Sequence, residues 1–125
     1  LAIAAALCGA AAVEAVEIDD RVHGAIRANA RSNGVAERIA VAATPATGAD
    51  CDLVVANIVA PVLVDRATDL VGRLRPGGRL VLAGLRDADV APVVARYEAL
   101  GLARPAVGAS EGWHCLTFSA PAAAT

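Results

Sequence analysis

The sequence predicts an α/β domain of the doubly wound kind, and three observations carry that reading. Strand-like and helical runs alternate along the chain in the order helix, strand, helix, strand, strand, helix, strand, helix, hairpin. Asp52 to Ile58 holds four apolar residues in succession, Leu53 to Ala56, without polar alternation. That pattern marks a parallel strand covered by helices on both faces. Finally, 125 residues at 57% hydrophobic content suffice for one domain with a true apolar core.

Each element has a local reason. Residues 1 to 9 are helix formers of small apolar side chains, suited to close packing on a sheet, and Gly9 fits a C-terminal cap. Val13 to Ile18 is a short β-capable run that ends among the acids Glu17, Asp19 and Asp20. Asp19 or Asp20 can cap a helix reaching about Ser32, where Asn33-Gly34 stops it. Val22, Ala25, Ile26 and Ala30 recur at helical spacing and predict its buried face, with Arg21, Arg27 and Arg31 facing water. Residues 38 to 43 read as a strand and Thr44 to Asp50 as a loop. After the strand at Asp52 to Ile58, Pro61 opens a helix running to about Arg73.

Pro76-Gly77-Gly78 then turns the chain into a strand at Arg79 to Ala83. Asp87 or Asp89 starts a helix that ends at Gly101, with Pro92 expected in its first turn. Leu102 to Val107 and Trp113 to Ser119 are strand-like and joined by residues 108 to 112, a link too short for anything but antiparallel pairing. The chain opens inside an apolar run, Leu1 to Ala12, that no polar residue introduces, which reads as the interior of a longer sequence. That run is shorter than the ~20 residues of a membrane span and lacks the basic flank of a secretory signal.

Composition narrows the chemistry. A net charge of −2 argues against a generic nucleic-acid groove. All eleven basic residues are Arg. Without lysine there is no P-loop lysine, Schiff base or pyridoxal-phosphate anchor. Three aromatics, Tyr97, Trp113 and Phe118, are too few for a base-stacking platform. Cys8, Cys51 and Cys115 stand far apart in no metal-binding or redox spacing and read as reduced, buried small hydrophobes.

In an open parallel sheet, ligands bind beyond the carboxyl ends of the strands. Glu17 ends one such strand, where a carboxylate can accept bonds from both hydroxyls of a ribose; it could equally be a solvated acid at a helix entry. Asn57 ends the clearest strand, where its amide must find partners or form a local turn. Trp113 and His114 could line a substrate entrance, though packing for Trp113 and an exposed position for His114 is the simpler expectation. Arg73, Arg75, Arg79 and Arg86 read most simply as a solvated face.

Five segments, taken together and in this order, resemble a known family. They are residues 1 to 10 (Leu-Ala-Ile-Ala-Ala-Ala-Leu-Cys-Gly-Ala), 16 to 19 (Val-Glu-Ile-Asp), 29 to 35 (Asn-Ala-Arg-Ser-Asn-Gly-Val), 52 to 60 (Asp-Leu-Val-Val-Ala-Asn-Ile-Val-Ala) and 74 to 84 (Leu-Arg-Pro-Gly-Gly-Arg-Leu-Val-Leu-Ala-Gly). They resemble the catalytic domain of the bacterial PrmA family, S-adenosylmethionine-dependent enzymes that methylate amino groups of ribosomal protein L11. The resemblance extends through Glu111-Gly112-Trp113.

It implies a Rossmann-like class I methyltransferase fold, with a mostly parallel sheet and an antiparallel carboxy-terminal hairpin. By resemblance Glu17 takes the place of the acid that holds the cofactor ribose, Ile18 flanks the adenine, and Asn57 stands at the junction of cofactor and substrate. The family usually has Asp where Glu17 stands. No metal, direct nucleic-acid contact or membrane contact is implied, and the expected compartment is the cytoplasm. The first strand and the Gly-rich loop of the type Asp-x-Gly-x-Gly-Ser-Gly that precede this region in the family have no counterpart in the 125 residues. Residues 1 to 119 are therefore expected to form part of a catalytic domain and 120 to 125 a disordered tail, with S-adenosylmethionine bound weakly or not at all. The alternatives are another class I methyltransferase with a small-molecule or different protein substrate, and an inactive remnant. A nicotinamide-dependent dehydrogenase also places an acid after its second strand, but Asn57 to Ala60 and Pro76-Gly77-Gly78 favour methyl transfer.

Overall fold

The computed structural model describes every residue except Thr47, Ala49 and Thr125. Part of the expected loop at residues 44 to 50 and the last residue of the expected tail thus lie outside the described residues. The chain forms two compact units, Leu1–Thr47 and Gly48–Thr125.

The first unit holds helix α1 (Ala2–Leu7), strand β1 (Val13–Val16), helix α2 (His23–Ser32) and strand β2 (Ile39–Ala42). The strands pair in parallel, from Val13 opposite Ile39 to Val16 opposite Ala42. Asp19 caps the 3-10 turn Asp20–Val22 that leads into α2, its carboxylate accepting from the Arg21 backbone N–H at 3.1 Å. Both helices close as the glycines predict. The N–H of Gly34 donates to the Arg31 carbonyl and that of Val35 to the Ala30 carbonyl, both at 3.0 Å, with Gly34 at φ +68°. Arg38 donates to the Ala6 carbonyl at 2.8 Å, placing a cation at the carboxyl end of α1.

Ala6, Ala30 and Val35 form the buried core, with Ile3, Val13, Ala36 and Ile39 half-buried against it. Val22 departs from its expected buried position and is 40% exposed. It lies in the 3-10 turn, whose three residues per turn put it out of phase with the stripe of α2. Ala25 is exposed as well, and so is Cys8, which follows the last residue of α1.

The second unit contains β3 (Cys51–Asn57), α3 (Ala60–Asp65), α4 (Ala67–Val71), β4 (Leu74–Leu85), α5 (Asp87–Glu98), β5 (Ala106–Ser110) and β6 (Trp113–Ser119). Its sheet has the order β3-β4-β6-β5; β3 and β4 are parallel, and β6 is antiparallel to both β4 and β5. Two cross-strand rows, Val54-Leu80-Phe118 and Ala56-Leu82-Leu116, share one face. They pack with Leu63 and Ala67 of α3 and α4 and with Val93 and Tyr97 of α5. The rings of Tyr97 and Phe118 lie 5.3 Å apart between centroids. The Tyr97 hydroxyl donates to the Leu63 carbonyl at 2.8 Å, and burial pushes its pKa up to about 12.

Several expectations need correction here. Leu53 and Val55 are 49% and 39% exposed, so this unit's helices cover only one face of β3. The helix expected from Pro61 to Arg73 is interrupted at Arg66. Pro92 is the sixth residue of α5, beyond the first turn, where it removes the bond that residue 92 would give to the Ala88 carbonyl. The last hairpin is tighter than expected: β5 runs on to Ser110, and Glu111-Gly112 alone make the turn, with φ of +50° and +78°. Two positive φ values define the turn type that matches strand twist in two-residue hairpins. Pro76-Gly77-Gly78 lies within β4 rather than in a turn before it, and Ala120 and Pro121 bond to Gly78 and Gly77 there. Among the described residues no helix is long and apolar enough to cross a membrane.

Candidate functional site

Strand alternation puts Asn57, Ala83 and Cys115 side by side on the sheet face opposite the leucine core. There the second unit has a cavity of about 570 Å³, lined by Asn57, Ala83, Gly84, Gly108, Ala109, Ser110, Trp113, His114 and Cys115. It lies where β3 and β4 end and β6 begins, the strand end at which open α/β sheets bind ligands.

Asn57 is the last residue of β3, and Gly84 is shaped around it. A Cβ at Gly84 would stand 2.5 Å from Asn57 Oδ1, and Gly84 has φ +83°. The pairing of β4 with β6 is irregular at that residue, between Ala83 and Leu85. Among the described residues no protein group hydrogen-bonds the Asn57 side-chain amide. The exposed amide at the cavity edge therefore has its donors and acceptor free of protein partners.

The turn end of the cavity is held from outside. Trp113 is 48% exposed, and the Arg86 guanidinium carbon lies 3.6 Å from its ring centroid. Arg75, Arg79 and Arg86 are exposed as expected, Arg86 also stacking on Trp113 and Arg75 pairing with Asp52 at 2.6 Å. His114 corrects its expected exposure: its side chain is only 16% exposed, and Nε2 meets Asp87 Oδ1 at 2.5 Å. Its Nδ1 is buried without a hydrogen-bond partner among the described residues. Cys51 and Cys115 are half-buried free thiols.

In the first unit, Glu17 directly follows β1 and extends its ladder by donating to the Ala42 carbonyl at 3.0 Å. Its Oε1 accepts from the Asp19 backbone N–H at 2.9 Å, and its carbonyl pairs with His23 Nε2 at 2.7 Å. Carboxylate and backbone are therefore both oriented, and Oε2 has no protein partner among the described residues. Ile18 is 88% exposed. Asp19 holds Arg21 through two side-chain bonds of 2.8 and 2.7 Å, and this pairing lowers the Asp19 pKa.

Residues 1–121 match the family model described as Ribosomal protein L11 methyltransferase (PrmA). The chain belongs to the PrmA family. It is 40% identical over 120 residues to the ribosomal protein L11 methyltransferase of Syntrophotalea carbinolica, covering 94% of this chain and 39% of the relative. The Methylococcus capsulatus protein of the same name is 42% identical over 114 residues, covering 90% and 39%. The chain thus spans about two-fifths of the length of these curated relatives. Among solved structures, the ribosomal protein L11 methylase of Lactobacillus delbrueckii subsp. bulgaricus superposes with a TM-score of 0.88 at 28% identity, over 96% of this chain and 64% of that one. A Salinibacter ruber RNA methyltransferase, solved with S-adenosyl-L-homocysteine, gives 0.71 at 19% identity over 99% and 75%, a likeness of fold alone. The fold is the Rossmann-like class I methyltransferase fold expected from the sequence.

Within this PrmA-family chain, the structure places Asn57, Trp113 and His114 at one cavity, and Glu17 and Ile18 together at the end of β1. Sequence reasoning missed Gly84, Arg86 and Asp87. Gly84 stood in a segment read for its turn and strand, and nothing local ties Asp87 to His114 across 27 residues.

Proposed function

We propose that this chain is the cofactor-binding part of an S-adenosylmethionine-dependent methyltransferase acting on amino groups of ribosomal protein L11, in the cytoplasm. The observation that carries this reading is the unpartnered Asn57 amide, seated on Gly84 at the cavity edge in a chain of the PrmA family. The residues present fit the cofactor. Glu17 keeps Oε2 for a ribose hydroxyl while Oε1 stays on the Asp19 amide, and the exposed Ile18 offers an apolar surface to an adenine. When bound, S-adenosylmethionine supplies an electrophilic methyl group on a sulfonium.

The protein's work is then positioning. The Asn57 carbonyl accepts a hydrogen bond from the acceptor amine and directs the nitrogen lone pair. With the cofactor bound, Asn57 would hold the attacking amine toward the methyl group, and the proton shed by the amine would pass to solvent.

The test is amide-resolved NMR of the isotope-labelled chain titrated with S-adenosylhomocysteine to millimolar concentration. Shifts at Glu17, Ile18 and Asn57, reduced by Glu17→Ala and absent with NADH, are expected. No shifts at those positions, or equal shifts with NADH, would overturn the assignment.

A further inference from the structure

We propose that Arg86 and Asp87 form a two-point clasp on the last hairpin, and that Arg86 thereby acts as a positioning residue that sets the Trp113 wall of the cavity. Two consecutive residues at the start of α5 grip two consecutive residues at the start of β6. Arg86 lies over Trp113 at 3.6 Å, and Asp87 bonds His114 at 2.5 Å. The two grips engage adjacent residues at the start of β6.

The grip is anchored at its own base. The Arg86 backbone N–H donates to Asp89 Oδ2 at 2.9 Å, and the Asp89 N–H returns a bond of 2.9 Å to the Arg86 carbonyl. The first turn of α5 therefore fixes the backbone from which the guanidinium extends.

The consequence falls on the cavity. Arg86 fills one face of the Trp113 ring, so whatever enters meets the other face or the edge. Arg86 does not line the cavity and acts only through Trp113. That the incoming group is an acceptor amine rests on the methyl-transfer reading above; the clasp itself does not.

Trp113 is the single tryptophan, so intrinsic fluorescence reports it alone. Arg86→Gln is expected to raise acrylamide quenching by up to about two-fold, since Trp113 is already 48% exposed, and to flatten the near-UV dichroism while the far-UV spectrum holds. Asp87→Ala should move both in the same direction by less. Arg86→Lys, which keeps the charge but loses the planar stack, should lie between Arg86→Gln and the unaltered chain, and decides the matter if Arg86→Gln does not fold. Unchanged quenching and dichroism in the folded variants overturn the clasp. In methyl-transfer assays Arg86→Gln should raise the acceptor KM with little change in kcat; changed fluorescence with an unchanged acceptor KM overturns the positioning role. Since the fluorescence needs neither cofactor nor acceptor, it alone decides the clasp, and the acceptor KM decides the positioning role.

Discussion

The unit Leu1–Thr47 closes on Ala6, Ala30 and Val35, while Gly48–Thr125 closes on Tyr97, Phe118 and leucines from α3, β4, β6 and the segment after α5. Small side chains allow helices to approach a two-stranded sheet closely, but each removes little apolar area from water. A buried Leu or Phe contributes about 1.5–3 kcal/mol by transfer, and an alanine methyl well under half of that. The residues assigned to cofactor binding, Glu17 and Ile18, sit on the lightly built unit, whereas the cavity and its glycine shelf sit on the heavily built one. Local stability is therefore expected to differ between the two.

The largest effect expected is from Phe118→Ala. This side chain is fully buried, beside Leu80 across the ladder and against the Tyr97 ring. Its removal should destabilise the second unit by about 3–5 kcal/mol, measured by urea unfolding. A loss below about 1 kcal/mol would mean that the leucine core closes over the gap, and the contrast between units would weaken.

Gly84→Ala comes next because it strikes backbone and site together. Placing a Cβ residue at φ +83° costs about 1–2 kcal/mol, and the new atom collides with Asn57 Oδ1. The amide must move by about an ångström, which on the proposed reading lowers methyl transfer by up to ~100-fold. Wild-type transfer with a normal melting temperature would show that Asn57 does not need its shelf. Val35→Ala follows. Losing two buried carbons removes about 1.6 kcal/mol, and hydrogen exchange should show the loss of protection confined to α1, α2, β1 and β2. Equal loss across β3, β4 and β6 would make the two units one cooperative body and end the comparison.

These variants also mark how far the sequence could be read. Helix ends were legible because a glycine at positive φ is a local demand: Asn33-Gly34 stops α2 and Gly101 follows α5 where expected. Strand existence was legible from apolar runs. How many faces a strand buries was not, since Leu53 and Val55 belong to the same run as Val54 and Ala56 and differ only in which face a helix covers. The turn at Glu111-Gly112 escaped because glutamate carries no signal for positive φ. Asn57 stood out as a strand-end amide, but the reason for Gly84 exists only once β3 and β4 pair and set Asn57 opposite Ala83.

The smallest effect should come from Asp19. Its carboxyl is held below the usual 3.8, first by the side-chain bonds from Arg21. A group whose folded pKa is depressed adds stability that is present above the unfolded value and lost as pH falls through the folded one. The contribution is therefore intact at neutral pH and disappears as the solution is acidified below about 3.8. Arg21 is 84% exposed on its side chain, so salt screens the pair and the effect is slight. Asp19→Asn keeps a side chain able to accept from the Arg21 backbone N–H and removes only the charge. Thermal melts of the variant and the parent should differ little at pH 7 and converge as pH drops through that window. If Asp19→Asn instead unravels α2 as far as Val35→Ala does, the charge at the entry of α2, rather than the core of small side chains, is what holds the first unit.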